Sequence, residues 1–354
     1  MADTEKLNRL RARYADSRGA DIHDPAFRRV ADQQFGEGDR RKWPFSDVAT
    51  FLGLPYRPQA PAESFRDLDI ACIGLPMDLG VTNRAGARLG PRAVRAVERI
   101  GPWEHALKMA PAIGCRAADI GDVPFRSRFS LEGCHQDIEA FYRDIAAAGV
   151  IPLSVGGDHS VTWPILKALG AGRPVGLVHI DAHCDTSGPY EGSKFHHGGP
   201  FRMAVLDGVL DPDRTIQIGI RGGAEYLWEF SYESGMTVIH AEEVATLGIP
   251  AIIEKARAVI GDGPAYVSFD VDGLDPAFAP GTGTPEVGGL STAEALAILR
   301  GLIGLDVIGG DVVEVAPQYD GTTNTAQAGA QMLFTIFCLA RAALDWRRGA
   351  GAGS

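Results

Sequence analysis

Cysteine is scarce in this chain of 354 residues: five, an odd number, at positions 72, 115, 134, 184 and 338, with no C-x-x-C spacing among them. That leaves no basis for a disulfide framework and suits a reducing cytoplasm. Long apolar runs are lacking as well. The longest, Met332 to Leu344, is interrupted by Arg341 and is too short to span a bilayer, and the polar stretch Met1 to Asp24 has no apolar segment of the kind a secretory signal carries. Positive charge is in deficit, with 34 Lys and Arg against 45 Asp and Glu, and the net charge of −11 argues against nucleic acid or an anionic membrane as partner. Internal repeats are absent, so solenoid and propeller architectures are set aside.

What is present is enough apolar material, 45% of residues, to bury a large α/β core, punctuated by 44 glycines that fall largely where apolar runs end. Residues 1–65 carry charge clusters, Trp43-Pro44-Phe45 and a proline-spaced stretch from Pro55 to Pro61, and read as an arm with little core of its own, of a kind that packs on a neighbouring subunit. Residues 66–346 read as one catalytic domain and 347–354 as a flexible tail. From Asp69 onward, apolar runs of four to eight residues alternate with amphipathic segments, the pattern of a parallel sheet covered by helices. The runs are Ile70 to Leu75, Val150 to Val155, Val175 to Ile180, Thr215 to Ile220, Thr237 to Ile239, Tyr266 to Phe269 and Val307 to Val315. Helices are expected between them, among them Pro91 to Ile100, Leu131 to Ala148, Ser160 to Leu169 and Thr325 to Leu344.

Three of these runs end in polar clusters: Gly156-Gly157-Asp158-His159-Ser160, Asp181-Ala182-His183-Cys184-Asp185, and Ser268-Phe269-Asp270-Val271-Asp272. In open parallel sheets, ligands gather beyond the carboxyl ends of the strands, where all three clusters fall. Alternation along a strand puts Asp181, His183 and Asp185 on one side, and Asp270 with Asp272 likewise, so that His159 completes a set of six ligands for two hard divalent ions. A metal pair of that kind makes a nucleophile from water at neutral pH, which points to a hydrolase. Turns and helix caps explain single Asp-rich strand ends, as at Asp275-Pro276, but not the three together. His179 shares the parity of the ligands, yet lies deeper in its run and reads as hydrogen-bonded support for a metal-bound carboxylate. Cys184 reads as a buried spectator.

The three motifs resemble those of the ureohydrolases, the arginase and agmatinase family, from about Ile70 to about Leu344. The resemblance implies a three-layer α/β/α fold with an eight-stranded parallel sheet and a binuclear manganese site, with nickel as the alternative, in trimers or hexamers. It implies that His159, Asp181, Asp185 and Asp270 hold one metal and Asp181, His183, Asp270 and Asp272 the other. The implied reaction is hydrolysis of a guanidinium group to urea plus an amine or ammonia. Asp185 is expected to carry a proton from the attacking water to the leaving nitrogen. His197, within Phe195-His196-His197-Gly198-Gly199, resembles the family's proton-shuttle histidine, with His196 as the competing candidate. Glu314, within Val312-Val313-Glu314-Val315, matches the carboxylate that grips the guanidinium, and a carboxylate in so apolar a strand is costly unless paired.

The substrate reading rests on departures from the arginase pattern. The segment Ile218-Gly219-Ile220-Arg221-Gly222-Gly223 lacks the Asp-rich stretch that holds the α-amino group of arginine, while the loops at 80–88 and 279–286 look like the agmatinase and guanidino-acid hydrolase branch. Between Asp185 and His197, a pocket wall containing Tyr190, Glu191, Lys194 and His196 is expected. Lys194 or His196 pairing with a substrate carboxylate favours guanidinobutyrate or guanidinopropionate, whereas Glu191 would attract the distal amine of agmatine. If none faces inward, a pocket closed by Tyr190 and Phe195 suits guanidine, an alkylguanidine or a biguanide. Outside enzymology, the competing reading is a catalytically silent subunit assembling with a related chain, which the complete ligand set disfavours.

Overall fold

Eight apolar stretches form the strands of one sheet in a computed structural model of the protein, which describes residues 4–17, 21–35, 45–58, 65–98 and 100–351. They are β1 (Ile70–Gly74), β2 (Ala117–Asp122), β3 (Ile151–Val155), β4 (Val175–Ile180), β5 (Leu210–Ile220), β6 (Thr237–His240), β7 (Pro264–Asp270) and β8 (Asp306–Val313). All neighbours are parallel, in the order β2-β1-β3-β8-β7-β4-β5-β6. Alternate residues of each strand enter two different cores, as a sheet covered on both sides requires. Ile70, Cys72, Leu153, Val178, Val267 and Val312 pack under the helices Ile249–Ile260, Thr292–Gly301 and Asn324–Gly351. Ala71, Ile73, Ile120, Leu177 and Tyr266 face Leu131–Ala147, Thr162–Leu169 and Pro200–Leu206. This is the three-layer, eight-stranded arrangement that the family resemblance implies.

The departures from the sequence reading have local causes. Strand β2 was not foreseen because Ala-Ala-Asp-Ile-Gly-Asp is weakly apolar; it survives at the edge of the sheet, paired with β1 on one side and bridged at Asp119 to Tyr56 on the other. The helix expected over Pro91 to Ile100 ends at Arg95, whose guanidinium turns to Asp119 and Asp122 at 2.8 and 2.6 Å. Residues 1–43 form a unit of their own, with helices Thr4–Tyr14 and Pro25–Phe35, and the remainder from Pro44 forms a second. Within that second unit Phe51, Leu54 and Phe65 are core residues, so the described residues 45–58 and 65 contribute to the core where an arm with little core was expected. Residues 347 and 348 are not a loose tail: the last helix runs to Gly351, with Arg347 on Asp306 and Arg348 on Asp69. Trp43, Pro44, the end of the proline-spaced stretch (59–61) and residues 352–354 lie outside the described residues. The last helix is long and apolar enough to cross a membrane, but 72% of its most apolar window is buried against the protein itself.

Register brings the site together. Ile180 pairs with Phe269 and Asp270 with Val313, so the residues that follow β4, β7 and β8 emerge level with one another, and β3 ends beside β8 at the Val155 and Val312 pair. Four adjacent central strands, β3, β8, β7 and β4, therefore present His159, Glu314, Asp270 and Asp181 at one edge of the sheet.

Candidate metal centre

Two of the segments leave their strands by an unusual backbone step. Asp185 and Glu314 adopt left-handed φ values of 52° and 62°, a conformation that costs a non-glycine residue about 1–3 kcal/mol and persists only where surrounding contacts impose it. The alternation expected for Asp181, His183 and Asp185 is thus replaced: β4 stops at Ile180, and Asp185 returns to the cluster through its left-handed turn. Cys184, between them, faces away and packs with Ile220 and Trp228. Ahead of His159, Gly157 lies so close to the main chain of Met77 that a Cβ would sit 1.6 Å from its carbonyl oxygen, and its own carbonyl accepts from the Glu314 amide at 2.9 Å.

The imidazole of His159 is fully buried. Its Nε2 meets Ser268 Oγ at 2.8 Å, and the Ser268 hydroxyl is committed as a donor to Asp311 Oδ1 at 2.6 Å. Nε2 must therefore carry the ring proton in the neutral form, leaving Nδ1 as a lone pair. That nitrogen has no hydrogen-bond partner among the described residues, yet oxygens of Asp185, Asp181 and Asp270 surround it at 2.9, 3.1 and 3.3 Å. A lone pair facing three carboxylates is explained by a cation between them. A second group repeats the chemistry: His183 Nδ1 lies 3.1 Å from Asp272 Oδ2 and 3.4 Å from Asp181 Oδ1. Asp181, His183 and Asp272 offer ligand atoms within 4.8 Å of one another, as do His159, His179 and Asp181. The six residues expected as ligands are all brought together, and their nitrogen and oxygen donors fit divalent cations.

Electrostatics agrees with the geometry. Burial, reinforced by neighbouring carboxylates, pushes Asp272 up to about 6 and Asp270 well above the ordinary carboxylate range. Burial would raise Asp181 too, but His179, His159 and His183 hold it well below that range. Burial would lower His159 and His183, yet the carboxylates around them hold both imidazoles well above 6.5. Imidazoles whose basicity is raised by crowded carboxylates are the setting in which a divalent ion would take the place of the ring protons.

Supporting residues surround this centre. Gln217 Nε2 donates to the Cys184 carbonyl at 2.6 Å, which fixes the amide orientation, and to His179 Nδ1 at 3.0 Å. His179 Nε2 then carries the proton and donates to Asp181 Oδ2 at 2.7 Å, so His179 has no lone pair left to offer a metal. Thr284 Oγ1 donates to Asp272 Oδ2 at 3.1 Å, and Asp311 accepts from Thr162, Tyr266 and Ser268 together. Sequence reasoning missed Asp311, Ser268, Gln217 and Thr284. Two of them carried a signal: Ser268 shares strand parity with Asp270, and Asp311 is a charge inside an apolar strand, the same oddity that singled out Glu314.

Beside the centre, Glu314 Oε1 accepts from the His159 amide at 2.9 Å and from His197 Nδ1 at 2.8 Å. Its Oε2 is buried with no hydrogen-bond partner among the described residues. Burial would lower His197, but the Glu314 carboxylate beside it raises the imidazole to about 9. On the far side of the ring, Thr82 presents its hydroxyl at 2.7 Å and its amide at 3.1 Å to Nε2. A protonated ring donates to the hydroxyl and a neutral one accepts from the amide, so Thr82 serves both states. His196 is turned into its own loop, with Nε2 on the Gly188 carbonyl at 2.8 Å. Tyr190 is half exposed, 6.2 Å ring to ring from His196, and Lys194 lies over the Phe195 ring at 4.9 Å. Glu191 is exposed at a tight turn with φ 46°.

Comparison with known proteins extends this picture over most of the chain. The model of the arginase family matches residues 68–338. A guanidinopropionase of Pseudomonas aeruginosa is 50% identical over 301 residues, covering 83% of this chain and 94% of that protein. A guanidinobutyrase of the same organism is 44% identical over 299 residues, covering 83% and 93%. Among solved structures, the proclavaminate amidino hydrolase of Streptomyces clavuligerus superposes with a TM-score of 0.80 at 34% identity, covering 85% of this chain and 100% of that chain. Likeness of this extent makes the chain a member of the arginase family.

Proposed function

We propose that the protein hydrolyses the guanidino group of a short guanidino acid, of the guanidinopropionate or guanidinobutyrate class, to urea and an amine. The observation that carries this reading is Glu314 Oε2, a buried carboxylate oxygen without a hydrogen-bond partner among the described residues, while the His159 amide and the His197 ring both go to its twin Oε1. A guanidinium N–H pair suits it, because the substrate arrives with its own positive charge and with donors in a planar fork. The names of two of the similar proteins, a guanidinopropionase and a guanidinobutyrase, support a guanidino acid over free arginine.

Six residues, His159, Asp181, His183, Asp185, Asp270 and Asp272, would hold two divalent ions, manganese or nickel, whose chemistry is to lower the pKa of bound water toward ~7. Glu314 orients the guanidinium so that its carbon faces the attacking water. Asp185 accepts a proton from that water and delivers it to the leaving nitrogen as the C–N bond breaks and the new C–O bond forms. Water plus the guanidinium gives urea plus a protonated amine, with no further reactant. His197, between Glu314 and Thr82, passes protons toward solvent. We assign Tyr190 and Lys194 to the wall beyond the guanidinium, where the substrate tail lies, and His196, bonded to the Gly188 carbonyl, to holding that wall together, and a trimer or hexamer to the native assembly.

The test is urea release from guanidinopropionate, guanidinobutyrate, agmatine, arginine, guanidine and alkylguanidines, each with manganese and with nickel. The largest kcat/KM is expected on a guanidino acid. A preference for guanidine or for agmatine would replace the substrate class, and no urea from any of them in protein carrying both metals would end the ureohydrolase reading.

A further inference from the structure

Arg221 is a buried cation without an anion. Its side chain is 6% exposed, and among the described residues no carboxylate forms an ion pair with it. Its guanidinium instead donates to six main-chain carbonyls drawn from three segments. Nη2 reaches Asp272 and Glu286 at 2.7 Å each and Leu274 at 3.1 Å; Nη1 reaches Gly219 at 3.0 Å and Gly273 at 3.3 Å; Nε reaches Val287 at 3.1 Å. The Arg221 amide donates to the Ala182 carbonyl at 2.8 Å, within the other ligand segment. Gly289 closes the cage: a Cβ there would sit 2.5 Å from Nη2. Such an arrangement replaces a counter-ion with carbonyl dipoles. Only a planar fork with five N–H groups serves three segments at once, and a lysine ammonium does not.

We propose that Arg221 is a positioning residue that locks the Asp272 end of the metal centre to the adjacent loop at 284–287, so that occupancy of the His183 and Asp272 metal position depends on it far more than occupancy of the His159 and Asp185 position. The inference rests on the two-metal reading. Thr284 completes the link, since its hydroxyl reaches Asp272 Oδ2 from the loop whose carbonyls Arg221 holds. The three carbonyls at 272–274 and the two at 286 and 287 then move as one body, and the His159 side of the cluster receives none of these contacts.

The test is Mn2+ titration of the full chain and of Arg221→Lys by calorimetry, followed by electron paramagnetic resonance. For Arg221→Lys the expected result is one site within about threefold of its wild-type affinity and the other weakened about 10- to 100-fold, the range for losing a residue that orients a ligand. The spin-coupled pair signal should give way to a mononuclear one at limiting metal. Equal weakening of both sites, or neither weakened while only thermal stability falls, overturns the proposal. Wild-type protein that binds fewer than two metals refutes the metal reading instead. Should Arg221→Lys not fold, amide exchange of the wild type decides: residues 272–274 and 286–289 should gain protection together on Mn2+ binding, and a 286–289 segment indifferent to metal overturns the link.

Discussion

Glu314 and His197 form a pair whose two halves make separable predictions. Glu314→Gln keeps the shape but replaces the free anionic oxygen, so kcat/KM for urea release should fall about 10- to 150-fold, the equivalent of about 1.5–3 kcal/mol for a hydrogen bond to a charged group, while Mn2+ stoichiometry holds. A fall in bound metal would show that Glu314 belongs to the centre itself. His197 answers to pH. Its folded pKa of about 9 lies above the 6.5 of a free imidazole, so the pair's contribution is complete below about pH 6.5, declines as pH rises and is gone above about pH 9. In metal-stripped protein, His197→Ala should cost on the order of 3 kcal/mol more at about pH 6 than at about pH 10 by denaturant unfolding, at roughly 1.4 kcal/mol per tenfold change in proton affinity. An equal cost at both values would mean that the ring contributes packing alone.

At the scale of the element, strand ends rather than whole strands carry the chemistry, and this is why the site was more legible than its supports. D-x-H-x-D and D-x-D at the close of apolar runs are oddities that sequence displays, since apolar strands otherwise exclude charge. Thr82, Thr284 and Arg221 sit in loops, and nothing in a loop's composition says which strand end it will cover. Side-chain parity told correctly that Cys184 would face away, but not that Asp185 would reach the cluster through a left-handed turn, because φ is set by neighbours distant in sequence. Asp311 tests the support from below: it receives hydroxyls from Thr162, Tyr266 and Ser268 and so fixes the His159 tautomer. An amide there would set its own N–H groups against one of those donors. Asp311→Asn is expected to lower Mn2+ affinity about 10- to 100-fold and stability by about 1–3 kcal/mol, read by calorimetry and denaturant unfolding. Unchanged affinity would mean that Ser268 orients the ring unaided.

Across the whole molecule, a net charge of −11 surrounds a site meant for a cation. The field should hasten a cationic substrate such as agmatine and do less for a zwitterionic guanidino acid, so raising salt from about 0.02 M to about 0.5 M should cut kcat/KM several-fold for agmatine and little for guanidinopropionate. Equal salt sensitivity for the two would mean that steering is local to the pocket. The strand order carries a further consequence, for the history of each chain. Among the described residues, strand β8 alone joins the ladder β2-β1-β3 to the ladder β7-β4-β5-β6, and it comes last of the eight strands in sequence. Until it slides between β3 and β7, His159 belongs to one half-sheet and the aspartates of β4 and β7 to the other. Before that, the ligands that follow β4 and β7 can already meet, but His159 cannot join them, so capture of the complete metal pair becomes a late event that reports the completed fold.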